Sequence, residues 1–133
     1  MAIKFKDRLQ AGRLLALKLM SFANDPEVLV LALPRGGVPV AFEVARSLNA
    51  TLDVFPVRKL GVPGQKELAM GAIAIGGIRT LNKEIVECLK IPDKKIDLVT
   101  KREEKELERQ ALAYRGSSLL PEVQDRTVIL VDD

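Results

Sequence analysis

Three short clusters in this sequence hold side chains able to do chemistry together. Pro34-Arg35-Gly36-Gly37 sets one guanidinium beside two glycines. Arg58-Lys59 puts two cations side by side, and Asp132-Asp133 puts two carboxylates side by side. Glycines permit positive φ and let backbone N–H groups come close to an anion. Arginine adds a planar fork of donors that matches phosphate oxygens. A carboxylate pair suits Mg²⁺, which combines one or two carboxylates with phosphate oxygens, or it suits sugar hydroxyls. Shared on one rim, the three clusters would describe a site for a metal-bound, phosphorylated sugar. Two of them also have a plainer reading. The first fits a tight strand-to-helix turn with a solvated arginine, and the last fits a solvated strand end.

The surrounding residues say what must position these clusters. Val28 to Leu33 is an unbroken apolar run, as in a strand buried on both faces. Val38 to Leu48 has helical spacing, and Asn49 suits a left-handed C-cap. Upstream, Arg8 to Phe22 reads as an amphipathic helix capped by Asp7 and stopped at Asn24-Asp25-Pro26. Leu52 to Lys59 reads as a second strand ending in the two cations, with Pro56 as a local break in its ladder. Leu60-Gly61-Val62-Pro63-Gly64-Gln65-Lys66-Glu67 reads as a mobile loop. Leu68 to Ile75 is a third strand, turned at Gly76-Gly77 into Ile78 to Leu81. Two helices follow, Lys83 to Leu89 capped by Asn82, and Lys94 to about Tyr114 capped by Asp93 and closed at Arg115-Gly116. The second carries a stripe of Ile96, Val99, Glu103, Leu107, Ala111 and Tyr114. Its charged middle, Lys101 to Glu106, reads as a solvated face with Arg102–Glu106 and Lys101–Glu104 pairs. A loop over 117–126 leads to a last strand, Thr127 to Val131.

This order of helices and strands predicts an α/β fold with a mostly parallel sheet, in which ligands bind beyond the carboxyl ends of strands. The 133 residues fit one domain. A net charge of +3 favours anionic ligands, but no dense basic tract with interleaved aromatics marks a nucleic-acid partner. Aromatic residues are 4% of the chain, too few for a base-stacking platform. Histidine is absent, which removes the commonest metal ligand and general base. The single Cys88 cannot form an internal disulfide and is expected to be packed inside. No signal peptide or membrane-spanning run is present, so no membrane partner and a cytoplasmic location are expected. A dinucleotide fingerprint G-x-G-x-x-G and a phosphate-loop G-x-x-x-x-G-K-[ST] are both missing.

Leu-Pro-Arg-Gly-Gly-Val-Pro-Val (33–40), Val-Arg-Lys-Leu-Gly-Val-Pro-Gly (57–64) with Glu-Leu-Ala-Met-Gly-Ala-Ile-Ala (67–74), Tyr-Arg-Gly (114–116) and Val-Ile-Leu-Val-Asp-Asp (128–133) resemble the type I phosphoribosyltransferases. The likeness is greatest to the branch labelled only as predicted phosphoribosyltransferases, and it runs the length of the chain. It implies a Rossmann-like α/β fold and a substrate, phosphoribosyl pyrophosphate with Mg²⁺. It also implies transfer of the phosphoribosyl group to a nitrogenous base with release of pyrophosphate. By position, Arg35, Gly36 and Gly37 would form the pyrophosphate loop, with a cis peptide between Pro34 and Arg35. Arg58 and Lys59 would be catalytic, neutralising the departing pyrophosphate. Residues 60–67 would be a flexible lid, and Asp132 and Asp133 would hold ribose hydroxyls or Mg²⁺. In the family a Gly/Thr-rich 5′-phosphate loop follows the Asp-Asp pair directly, whereas this sequence stops at Asp133. On that reading the chain is the front portion of an enzyme, with impaired turnover. Its last strand would lack an outer neighbour and would favour a homo-oligomer. A non-catalytic module that binds phosphoribosyl pyrophosphate or a nucleotide is the alternative function.

Overall fold

The computed structural model describes residues 4–116 and 121–133. The fold gathers into two compact units, Met1–Phe55 with Pro121–Asp133, and Pro56–Leu120.

The first unit is an α/β layer. Strand β1 (Val28–Ala32) is buried at all five positions, as its unbroken apolar run requires. It pairs in parallel with β2 (Thr51–Val54) on one side and β6 (Thr127–Val131) on the other. Helix α1 (Arg8–Lys18) begins where the Asp7 carboxylate accepts the Gln10 N–H. It gives way to a short, tighter helical turn at Met20–Phe22. Helix α2 (Gly37–Leu48) covers β1 and ends on Asn49 in the left-handed conformation. Helix α1 lies mainly against α2, with Ala16 reaching the core. The two approach so closely at Gly12 that a Cβ there would come within 2.7 Å of Glu43 Cβ. Val28, Val30, Ala32, Val40, Val44 and Leu48 form the centre of the core. The buried Glu43 carboxylate is held by Arg46 at 2.6 Å and, more loosely, by Arg13 at 3.8 Å.

The second unit is built on an antiparallel sheet of β3 (Val57–Val62), β4 (Gln65–Ala74) and β5 (Ile78–Leu81). The strand expected over 52–59 is therefore two strands in two sheets, parted at Phe55-Pro56. Proline has no N–H to give to a ladder, and Pro56 is instead buried as a side chain. The loop expected over 60–67 is mostly strand. Its residues form the closed end of the β3–β4 hairpin, turned at Pro63-Gly64, where Gly64 has φ +82. Proline before a positive-φ glycine is the sequence preference of a type II turn. The register shifts around Gly61, where a side chain would meet the Lys66 carbonyl at 2.8 Å. At the other end of β4, Gly76 and Gly77 both have positive φ, as the expected hairpin demands.

Helix α3 (Lys83–Cys88) starts where Asn82 accepts the Ile85 N–H. Cys88 is exposed, contrary to the expectation that it packs inside. Helix α4 (Asp93–Arg115) has Pro92 as its cap, with Asp93 its first residue, and it closes on Gly116 at φ +68. It buries Ile96, Val99, Leu107 and Ala111, and it packs on β3 and β4. Tyr114, expected on the same stripe, is 41% exposed. The loop expected over 117–126 lies partly outside the described residues. Among the described residues, no helix is long and apolar enough to cross a membrane.

Candidate functional site

The turn at Pro34-Arg35-Gly36-Gly37 follows β1, and Asp132-Asp133 follows β6. Because β1 and β6 run in parallel, with Ala32 beside Val131, both clusters leave the sheet at the same edge. The Leu33 N–H donates to the Val131 carbonyl at 2.9 Å, which extends the pairing beyond β1. The chain then turns through a cis peptide between Pro34 and Arg35, as the family resemblance implied.

The two glycines are packed against the two aspartates. A Cβ on Gly36 would fall 1.9 Å from Asp133 Oδ2, and one on Gly37 would fall 2.8 Å from the Val131 carbonyl oxygen and 3.1 Å from Asp132 Cα. Gly36 has φ −65, an ordinary helical value. The glycine at position 36 thus serves close approach and not a positive φ, the other reason considered for it. The Arg35 side chain is exposed and has no hydrogen-bond or ion-pair partner among the described residues. It is therefore available to an anion. Five sequence-predicted site residues, Arg35, Gly36, Gly37, Asp132 and Asp133, are thus brought together at one edge of the parallel sheet.

A sixth residue joins them that sequence reasoning missed. Arg8, at the start of α1, donates from Nη2 to Asp133 Oδ2 at 2.8 Å. That hydrogen bond holds the Asp133 carboxyl below the usual aspartate range. Asp132 Oδ1 accepts the Asp133 N–H at 2.8 Å. Nothing local in the sequence links Arg8 to a residue 125 positions away. The one available signal is an arginine directly after a capping aspartate, where the first turn of a helix would favour an acid.

The remaining candidates belong to the second unit. Arg58 and Lys59 lie within β3, not at the carboxyl end of a parallel strand. Arg58 is held by Glu103 of α4, with Nη2 2.7 Å and Nε 3.3 Å from Oε1. Lys59 is exposed. Spacing alone puts Glu103 on the inward stripe of α4. A carboxylate at a core-facing position calls for a cation opposite, and that was the overlooked sign of this pair. The expected Arg102–Glu106 pair gives way to an ion pair between Arg109 and Glu106.

The fit of a divalent cation can be judged from the donor set. No group of three or more His, Cys, Asp or Glu able to hold a metal occurs among the described residues. The exposed carboxylates of Asp132 and Asp133 provide hard oxygen donors alone. That suits Mg²⁺ binding through one or two carboxylates, with a ligand's oxygens completing its shell.

Comparison with known proteins gives a consistent picture. The sequence profile of the phosphoribosyl transferase domain matches residues 5–133. Two proteins of Mycobacterium tuberculosis, from strains CDC 1551 / Oshkosh and ATCC 25618 / H37Rv, are each named "Putative phosphoribosyl transferase". Each is 48% identical over 130 residues, which is 97% of this chain and 29% of the relative. The crystal structure of TT1426 from Thermus thermophilus superposes with a TM-score of 0.76 at 40% identity. That match covers 98% of this chain and 62% of TT1426. The chain thus spans less than a third of the length of these curated relatives.

Proposed function

Because the chain belongs to the phosphoribosyl transferase family, we propose that it binds phosphoribosyl pyrophosphate with Mg²⁺ and serves transfer of the phosphoribosyl group to a nitrogenous base. In that reaction the bond from the anomeric carbon to the pyrophosphate oxygen breaks, and pyrophosphate leaves with the electron pair. A bond from the base nitrogen to the same carbon forms. The single observation that supports this reading best is the packing of Gly36 and Gly37 on Asp133 and Asp132. It sets a glycine turn with an unpaired guanidinium beside two carboxylates, which is the donor set that a sugar bearing a pyrophosphate needs.

In this reading Arg35, Gly36 and Gly37 hold the pyrophosphate, while Asp132 and Asp133 hold the ribose hydroxyls and the metal. Bound Mg²⁺ would supply Lewis-acid stabilisation of charge on the phosphate oxygens. Arg58 and Lys59 are assigned to neutralising the leaving group, whose negative charge grows along the reaction. The hairpin end Leu60 to Glu67 is assigned to excluding water. Arg58 then has two partners to choose between, since Glu103 holds it in the structure.

The test is calorimetric titration of Mg²⁺–phosphoribosyl pyrophosphate into the chain and into Arg35→Ala. The variant should bind more weakly by about 1.5–3 kcal/mol, the worth of a charge-assisted hydrogen bond. Equal affinity in the two proteins removes the assignment. Pyrophosphate release with a panel of purine and pyrimidine bases then tests transfer itself.

A further inference from the structure

The second unit contains a groove of about 710 Å³ bounded by the β3–β4 hairpin and one face of α4. Its walls carry six cations, Arg58, Lys59, Lys66, Arg102, Lys105 and Arg109. Against them stand two carboxylates, Glu103 and Glu106, and each is already engaged by an arginine, Arg58 and Arg109 respectively. The other four cations, Lys59, Lys66, Arg102 and Lys105, have no ion pair or hydrogen bond among the described residues. Arg102, Lys105 and Arg109 recur at i, i+3 and i+7, so one helix face presents all three. A cleft lined by an excess of one sign of charge focuses its field and raises the local concentration of anions.

We infer that this groove is a binding site for a compact polyphosphate-bearing ligand, with Arg102 and Lys105 of α4 as its principal contacts. The inference shares Arg58 and Lys59 with the reading above but stands on residues of the second unit alone. The volume is that of a small-molecule site, about 300–1,000 Å³. The walls hold no aromatic ring, so a nucleobase would find nothing to stack on. That favours a ligand made chiefly of phosphate over a strand of nucleic acid. The two arginine–carboxylate pairs have a further effect. They hold Arg58 and Arg109 on their carboxylates, and leave the two lysines of the hairpin and the two free cations of α4 to meet a ligand.

The experiment uses inorganic tripolyphosphate without Mg²⁺, titrated into the full chain at low salt and followed by calorimetry and by amide NMR shifts. Amides of Lys59, Lys66 and residues 102–109 should shift in the unaltered protein. Arg102→Ala/Lys105→Ala should weaken binding about tenfold or more, because two charge-assisted contacts are lost. Arg35→Ala should leave the amide shifts of Lys59, Lys66 and residues 102–109 in place, whatever it removes at the Arg35 turn, which separates failure of this site from failure of that one. Lys18→Ala/Lys83→Ala, with two lysines removed outside the groove, should leave the affinity unchanged. The inference is overturned if Arg102→Ala/Lys105→Ala binds like the unaltered protein, or if Lys18→Ala/Lys83→Ala weakens binding equally. Loss of the groove's amide shifts in Arg35→Ala would overturn it too, as would amide shifts confined to residues outside the groove. Tighter binding of a single-stranded RNA than of tripolyphosphate would overturn the choice of ligand.

Discussion

Gly36 and Gly37 are neighbours in the sequence but are constrained by different atoms. A methyl at position 36 meets the Asp133 carboxylate, the free end of a side chain that can rotate away. A methyl at position 37 meets the Val131 carbonyl, which is fixed by the hydrogen bond it accepts from the Leu33 N–H. Gly37→Ala should therefore cost about 1–3 kcal/mol of stability, the usual range for overpacking. Gly36→Ala should cost less and act mainly by displacing Asp133 from Arg8. Urea denaturation of the two variants gives the order, and equal losses would contradict it. Asp133 also makes a statement about pH. Its folded pKa is depressed by Arg8, so the Arg8–Asp133 link is intact above the ordinary aspartate pKa and is lost as pH falls through the lower, folded value. Arg8→Ala should raise the Asp133 titration, followed by NMR of its carboxyl carbon, toward the ordinary range. At this scale the sequence showed which residue types could do chemistry, because glycine, guanidinium and carboxylate have few substitutes. It could not show Arg8, since only the folded chain brings α1 beside the end of β6.

The strands and helices were largely legible where the local signal was strong. The unbroken apolar run of β1, the Asp7 and Asn82 caps, the Asn49 and Gly116 helix ends and the Gly76-Gly77 hairpin all follow from short-range chemistry. The errors came where one residue had two meanings. Pro56 reads as a flaw within a strand, whereas it is the boundary between two sheets. Pro63-Gly64 reads as the centre of a long loop, whereas it is a tight turn that opens the ten-residue strand β4. Strand β6 has its own consequence. Among the described residues it pairs with β1 on one side only, and Val128 and Leu130 are 39% and 57% exposed. An apolar edge of this kind pairs readily with another chain. Leu130→Lys should shift the protein toward monomer in sedimentation velocity at high concentration. An unaltered protein that is monomeric throughout would contradict this.

In the molecule as a whole, the class of fold was readable because buried parallel strands and the helices that cover them have distinct periodicities. The division into two units was not, because nothing local says that the segment from Pro56 to Leu120 folds back on itself. The first unit depends on a small core. Leu48 is fully buried there, and Leu48→Ala should cost about 2–5 kcal/mol in denaturant titration. Amide exchange in β1 and α2 should accelerate with it. A loss below that range would mean that the cavity collapses around neighbouring side chains.

The unit that bears Arg35 is written in two separated stretches of chain, with the whole of the other unit between them. During synthesis β1 emerges early, but its partner β6 follows only after the intervening unit has been made. Until then an entirely apolar strand has one open flank, which is a hazard for association with other nascent chains. The carboxylates also reach the glycine turn only once β6 has paired. A ribosome-bound intermediate halted before residue 127 would therefore have Arg35 without Asp132 and Asp133 beside it, and would be a fitting client for a chaperone.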